Sequence, residues 1–307
     1  MKIETNKLRL PMMWLVALVA LLWSCEPKKA EVDPIAHRAE IDTWHAKRIN
    51  DLKSNNGWLN IAGLFWLQEG INTFGAAATN NVVFPAGTIA DDAGYFTVKN
   101  GVVHMDIKKG VDVKIDSVSV SSVEIFHPDS SKAKVSSFGS LQWFIIKRDN
   151  QVGVRLRDLN SKAVTEFPGI ERYPVDVIWR VVADYKPTDG KMIDITNVLG
   201  QTVPQKSPGT LLFEIGGEKF SIDALEGGND ELFLIFGDLT NEKDTYPAGR
   251  YLYVKTPGPD GKIVLDFNKA YNPPCAFTPF ATCPLPPRQN ILNVRIEAGE
   301  KNYDSHD

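Results

Sequence analysis

Hydrophobic positions change their spacing three times along the chain, and each change predicts a different kind of element. An uninterrupted apolar run, Pro11 to Leu22, follows Lys2, Lys7 and Arg9. It is too short to span a bilayer comfortably as a mature helix and carries the flanks of a secretory leader. From Asp33-Pro34 to about Lys53 the apolar residues Ile35, Ile41, Trp44, Ile49 and Leu52 recur at helical spacing. Asp33 and Pro34 suit the N-cap and first position of a helix. Beyond Asn55-Asn56-Gly57 the pattern becomes short apolar segments separated by Gly, Asn and Pro turns. GWLNIAGLFWLQEGINTFG reads as strand–turn–strand, with Trp58, Phe65 and Trp66 either core aromatics or a sugar-stacking platform. Val82–Pro85, Gly94–Val98, Val102–Ile107, Val111–Ile115, Val118–Phe126 and Leu141–Lys147 read as strands, and Asn100-Gly101 as a type I′ hairpin turn.

From Val175 to Asp266 strands recur near ten-residue spacing with Gly-rich turns, which predicts an antiparallel meander. The fold class expected is therefore mainly β, a barrel or sandwich meander with one N-terminal helix. The expected organisation is a leader over 1–24, a tether over 25–32 and a single β-rich domain over 33–307. Within the meander the Pro257–Gly261 turn would make the strands of Arg250 and Asp266 partners in one hairpin.

The pattern breaks from Leu265 to Tyr303, where prolines exclude both helix and interior strand. Such a segment is an irregular, stiff loop, the kind that holds side chains in place for binding or chemistry. Asp238, Arg250, Asp266 and Asn268 lie at strand ends, where polar side chains gather at one rim. With Tyr271, Asn272 and Asn290, the residues Arg250, Asp266 and Asn268 are candidates for a ligand site. Asp238, Asp266 and Glu300 are the carboxylates able to supply an acid–base pair. The competing reading is that the Asp and Asn side chains only satisfy the loop's own backbone. Arg155 and Arg157, two apart and so on one face of a strand, form with Asp158, Arg172, Arg180 and Asp184 a charged set that offers a solvated rim or anion binding.

Composition narrows the options. Lys and Arg number 34 against 38 Asp and Glu, a net charge of −4, and no basic block argues for nucleic acid. Familiar catalytic, nucleotide and zinc signatures are absent, and neither a cofactor nor a metal is expected. Leu22-Trp23-Ser24-Cys25 resembles the lipobox of bacterial lipoproteins, in which the leader is cut before the Cys and the Cys receives acyl chains such as palmitate. That resemblance implies a lipid anchor in an envelope membrane. Of the three cysteines, Cys275 and Cys283 then remain, with seven residues between them. A disulfide is expected there, with a metal site or a reactive thiol as alternatives.

DFNKAYNPPCAFTPFATCPLPPRQN followed by AGEK resembles the C-terminal signature of an uncharacterised prokaryotic family, the domain of unknown function numbered sixteen-eighty-four. The likeness extends through RYPVD, LGQ, SPGTLLFEI, FGDLT and TYPAGRYLYV, and upstream to GWLNIAGLFWLQEGINTFG. It implies one continuous domain from the helix to Tyr303 and no established activity. The functional expectation is an envelope lipoprotein that binds a small molecule or glycan at the Pro-rich loop. A hydrolase using the Asp and Glu residues of the same rim, and a structural or assembly protein of the envelope, are the alternatives. Replacement of Cys25 by Ser is expected to abolish fatty-acid labelling and leave the precursor uncleaved by the lipoprotein peptidase. Label that survives the substitution would refute the anchor.

Overall fold

The structure is a computed structural model and describes residue 1 and residues 32–130, 133–148 and 150–303. The leader, Cys25 and nearly all of the tether lie outside the described residues. Helix α1 spans Pro34–Lys53 and begins as the sequence predicts: Asp33 accepts a hydrogen bond from the Ile35 amide, and Pro34 sits in the first turn. Its inward face differs from the expected apolar stripe. Ile41, Leu52 and His37 are buried, whereas Ile35 is 82% exposed.

The first half of the β structure comprises β1 (Ile61–Trp66), β2 (Gly70–Gly75), β3 (Val82–Val83), β4 (Gly94–Lys99), β5 (Val102–Ile107), β6 (Lys114–Ile115), β7 (Val118–Ser119), β8 (Ser122–Phe126), β9 (Ser136–Phe138), β10 (Leu141–Arg148) and β11 (Gln151–Asp158). They form two sheets, ordered β1-β11-β10-β9-β6-β7 and β3-β2-β4-β5-β8. Both sheets bury their inner faces on one core in which Phe74 contacts Phe84, Phe96 and Trp143. The Asn100-Gly101 turn joins β4 to β5 with φ of 52° and 77°, the left-handed pair a type I′ turn requires.

After a single-turn helix α2 (Lys162–Thr165) come β12 (Arg180–Pro187), β13 (Met192–Thr196), β14 (Thr202–Lys206), β15 (Gly209–Ile215), β16 (Glu218–Gly228), β17 (Glu231–Phe236), β18 (Arg250–Lys255) and β19 (Lys262–Asp266). Apart from the β13–β14 hairpin they make one sheet, ordered β18-β17-β16-β15-β12-β19, around Leu211, Phe213, Leu234, Phe236 and Phe267. The mainly β, antiparallel expectation holds, and this sheet is barrel-like and nearly closed.

The expected hairpin between β18 and β19 does not form. The two strands are the opposite ends of the hydrogen-bonded order and face each other across a cleft. Pairing was decided at longer range: β19 is hydrogen-bonded to β12, and the outer edge of β18 is taken by the loop. There Tyr251 and Tyr271 exchange main-chain hydrogen bonds of 2.9 and 3.0 Å.

Residues 267–303 carry short 3-10 turns at Phe267–Lys269, Pro274–Ala276 and Arg288–Asn290 and are otherwise irregular. Helix α1 is fastened to this segment by polar side chains. His37 Nε2 lies 2.7 Å from Asp266 Oδ2, Lys269 Nζ lies 2.5 Å from Glu40 Oε1, and Arg48 Nε lies 3.2 Å from Glu300 Oε1. Arg48 also donates to the Asn272 carbonyl at 2.9 Å and stacks 4.6 Å over the Tyr271 ring.

Glu300 is enclosed, and burial raises its carboxyl pKa above the ordinary value against the opposing Arg48 charge and Asn272 amide. A carboxyl raised in the folded state contributes stability below its unfolded pKa and loses it as pH rises through the folded one. Replacing Arg48 by Met strands the Glu300 charge and is expected to destabilise by roughly 3–5 kcal/mol at pH 7. The loss should shrink as pH falls through the raised Glu300 pKa, where the stranded carboxyl takes up a proton above the ordinary glutamate range. Urea unfolding of both proteins across that window checks this; a pH-independent difference would contradict it.

Candidate functional site

Arg250 opens β18 and its whole side chain is out of solvent. A guanidinium in that position needs a counter-charge, and Asp238, just after β17, supplies it at 2.6 Å. Arg250 also donates to the carbonyls of Ala298 and Ile296, the latter at 2.9 Å. The second Asp238 oxygen accepts from the Thr240 amide and hydroxyl at 2.8 and 2.6 Å. Asp266 bonds a different set: His37 on one oxygen, and the Asn268 amide and side chain on the other at 3.1 and 2.9 Å. Arg250 and Asp266 therefore belong to two separate buried networks.

The asparagines serve the chain. Asn268 bonds both main-chain groups of Asp176, at 3.1 and 2.9 Å. Asn290 accepts from the Asp223 amide at 2.8 Å and donates to the Asp223 and Ile235 carbonyls at 2.9 Å each, tying β16 to β17. Asn272 donates to the Lys301 carbonyl at 2.7 Å, and its own amide donates to Glu300 Oε2 at 2.7 Å. Among the charged set, Arg172 lines one cavity and Arg180 another. Of the ligand-site and acid–base candidates, Asp266 borders the open cavity that Arg180 lines.

That cavity, about 590 Å³, is the cleft between α1, β18 and β19. Glu40 and Trp44 line it from the helix, Tyr253 and Lys255 from β18, Asp266 from β19, with Lys269 and Arg180 at its borders. Aromatic rings continue beside it. Tyr253 stacks on Phe233 at 4.8 Å and on Tyr271 at 6.3 Å, and Trp44 lies 6.4 Å from Tyr271. Burial raises the Tyr271 hydroxyl's pKa, so the ring remains neutral. The cleft's lysines are committed: Lys269 to Glu40, Lys255 to Glu231 and Lys262 to Asp184. The Lys269 hydrogen bond holds Glu40 below the ordinary carboxylate value. Arg180 forms no ion pair among the described residues.

Cys275 and Cys283 are unbridged thiols, so the expected disulfide is not formed here. They adjoin nonetheless: the Cys275 amide donates to Cys283 Sγ at 3.0 Å. The loop between them rests on the first half of the molecule. Thr278 donates to the Ile61 carbonyl at 3.4 Å, Arg155 to the Phe280 carbonyl at 3.4 Å, and Arg148 to the Thr282 hydroxyl at 3.3 Å.

Residues 165–301 match the model of a family described as a protein of unknown function, DUF1684. The chain belongs to that family. The solution structure of an uncharacterized protein from Haloarcula marismortui is 30% identical over 47% of this chain and 82% of that one, with a TM-score of 0.40. No curated protein matches.

The matched DUF1684 segment contains the Arg250–Asp238 pair, Arg180, Asp266 and both thiols, but it excludes α1. His37, Trp44 and Arg48, which complete the polar contacts and the cleft, come from outside it. Sequence reasoning passed over His37 and Arg48 because charged positions on a helix read as solvated. The available signal was spacing, since His37, Ile41, Trp44 and Arg48 fall on one face at steps of four, three and four. Substituting Asn for Asp238 keeps the shape but leaves the buried Arg250 charge without a partner. The expected cost is roughly 3–5 kcal/mol in denaturant unfolding; wild-type stability would show that another group compensates the guanidinium.

Proposed function

We propose that this is a lipid-anchored protein of the bacterial envelope that binds a small, ring-bearing anionic ligand, such as an acidic sugar, in the cleft between α1, β18 and β19. The observation that carries the reading is Arg180, the one cation without an ion-pair partner among the described residues of a cleft that Trp44 and Tyr253 also line. Aromatic faces stack on sugar rings, and a guanidinium recognises a carboxylate or phosphate in two-point geometry. The cleft borders the start of the Pro-rich loop at Asp266 and Lys269. A pocket of several hundred Å³ with few polar anchors is the usual form of a small-molecule site. The lipobox-like Leu22–Cys25 supports the anchor and the envelope address.

Binding is favoured over hydrolysis by the environment of the three acidic candidates. Asp238 and Glu300 are enclosed by arginine and main chain, and only Asp266 reaches the cleft, with His37 already bound to it. In the oxidising space outside the cytoplasm, Cys275 and Cys283 are proposed to close a disulfide, for which their adjacency is the support.

The test is thermal denaturation with glucuronate and glucose 6-phosphate, and with glucose as the neutral control. The two anions are expected to raise Tm in a concentration-dependent manner, since a ligand at 100 times its Kd stabilises by about 2.7 kcal/mol. Glucose should do little, and Arg180→Gln should remove the anion effect while the unliganded Tm stays close to wild type. Equal shifts in wild type and Arg180→Gln, or none with any probe, would refute the reading.

A further inference from the structure

Arg155, in the middle of β11, is 6% exposed and forms no ion pair among the described residues. Its guanidinium lies 5.5 Å from the Trp58 ring, donates weakly to the Phe280 carbonyl and leaves Nε buried without a partner. An arginine keeps its charge inside a protein, and an uncompensated buried charge is costly. The loop that Arg155 supports carries Cys275 and Cys283: burial lowers the Arg155 pKa to about 10 against the opposing pull of the two thiols, and Arg155 in turn helps to lower that of Cys275.

We infer that Cys275 is the attacking thiolate of a dithiol–disulfide pair, with Arg155 as its counter-ion and Cys283 as the resolving thiol; the resolving role rests on the disulfide proposed above. Geometry separates the two roles. Cys275 is half-buried, at the edge of the cluster with Ile195, Leu225 and Tyr251 in which Cys283 is buried. The hydrogen bond from Cys283 holds the Cys275 thiol below its ordinary pKa despite burial, and Arg155 adds to that. The same hydrogen bond and burial push Cys283 up. The other titratable groups facing the pair are the Tyr251 and Tyr246 hydroxyls, both with pKa raised by burial, Tyr246 to about 12, and so neutral.

The reaction partner is a small-molecule disulfide. The Cys275 thiolate attacks one of its sulfurs, forming a mixed disulfide and expelling a thiolate that takes a proton from solvent. Cys283 loses its proton to solvent and attacks the Cys275 sulfur, closing the internal bridge and releasing the second thiol. The two protein thiols are oxidised and the external disulfide is reduced to two thiols.

The full chain, reduced and freed of reductant, is treated with iodoacetamide between pH 5 and 9, and the two sites are followed by peptide mass spectrometry. Cys275 is expected to label first, with a pH midpoint below the value of about 8.5 for an ordinary thiol. Arg155→Gln should raise that midpoint and slow labelling of Cys275 at pH 6.5 by about tenfold, while Arg155→Lys keeps most of the rate. Should Arg155→Gln fail to fold, the order of the two thiols in wild type and the behaviour of Arg155→Lys decide. Equal labelling of the two cysteines, or a midpoint unmoved by a folded Arg155→Gln, overturns the assignment. With oxidised glutathione, Cys283→Ser should hold a mixed disulfide at Cys275, and wild type should proceed to the internal bridge. Wild type that labels at Cys275 but never closes the bridge would overturn the pairing and, with it, the resolving role. That result would leave the ligand cleft unaffected.

Discussion

A buried irregular segment must find a partner for every main-chain polar group without a strand or helix ladder to supply one. Residues 267–303 are such a segment, and three arginines meet much of the demand. Arg48 on α1 serves the Asn272 carbonyl, Arg155 on β11 that of Phe280, and Arg250 on β18 those of Ile296 and Ala298. The Tyr251 hydroxyl serves Pro284 at 2.7 Å, and the Thr196 carbonyl accepts from the Leu285 amide at 2.8 Å. Helix, first sheets and barrel-like sheet each reach the same stretch of chain. It therefore acts as the piece on which the others are aligned.

Each arginine brings a charge inside, and the three are compensated differently. Arg48 has Glu300 and Arg250 has Asp238, both within the loop or at its border. Arg155 has no carboxylate; it rests on the Trp58 ring and on the loop that carries the two thiols. The cleft is a by-product of the same arrangement. Because the loop occupies the edge of β18 at Tyr251, β19 turns to β12, and the sheet is left open along one seam that α1 flanks.

Local signals carried the fold: the Asp33-Pro34 cap, the Asn100-Gly101 turn and the glycine-rich turns of the second half all act within a few residues. The β18–β19 pairing was not legible, because the competing partners, β12 for one strand and Tyr271 for the other, are set by distant parts of the chain. The Pro-rich loop was correctly located, but whether its Asp and Asn side chains face a ligand or the backbone depends on what surrounds them. In Asn268, Asn272 and Asn290 the backbone won. Arg155 was legible only as one of two strand arginines on the same face, since nothing in its own neighbourhood announces the cysteines more than a hundred residues later. Arg180 stood in a charged set that gave no means of telling a free guanidinium from a paired one.

The contacts between α1 and the loop also order events in time. His37 and Asp266 are 229 residues apart, and Arg48 and Glu300 252. A chain emerging from the ribosome presents the helix long before its counter-charges, so the two cannot lock together until the intervening strands have been made. Contacts of such separation are slow to form. The helix therefore stays undocked while the sheets assemble, and residues 266–300 act as the latch that completes the fold.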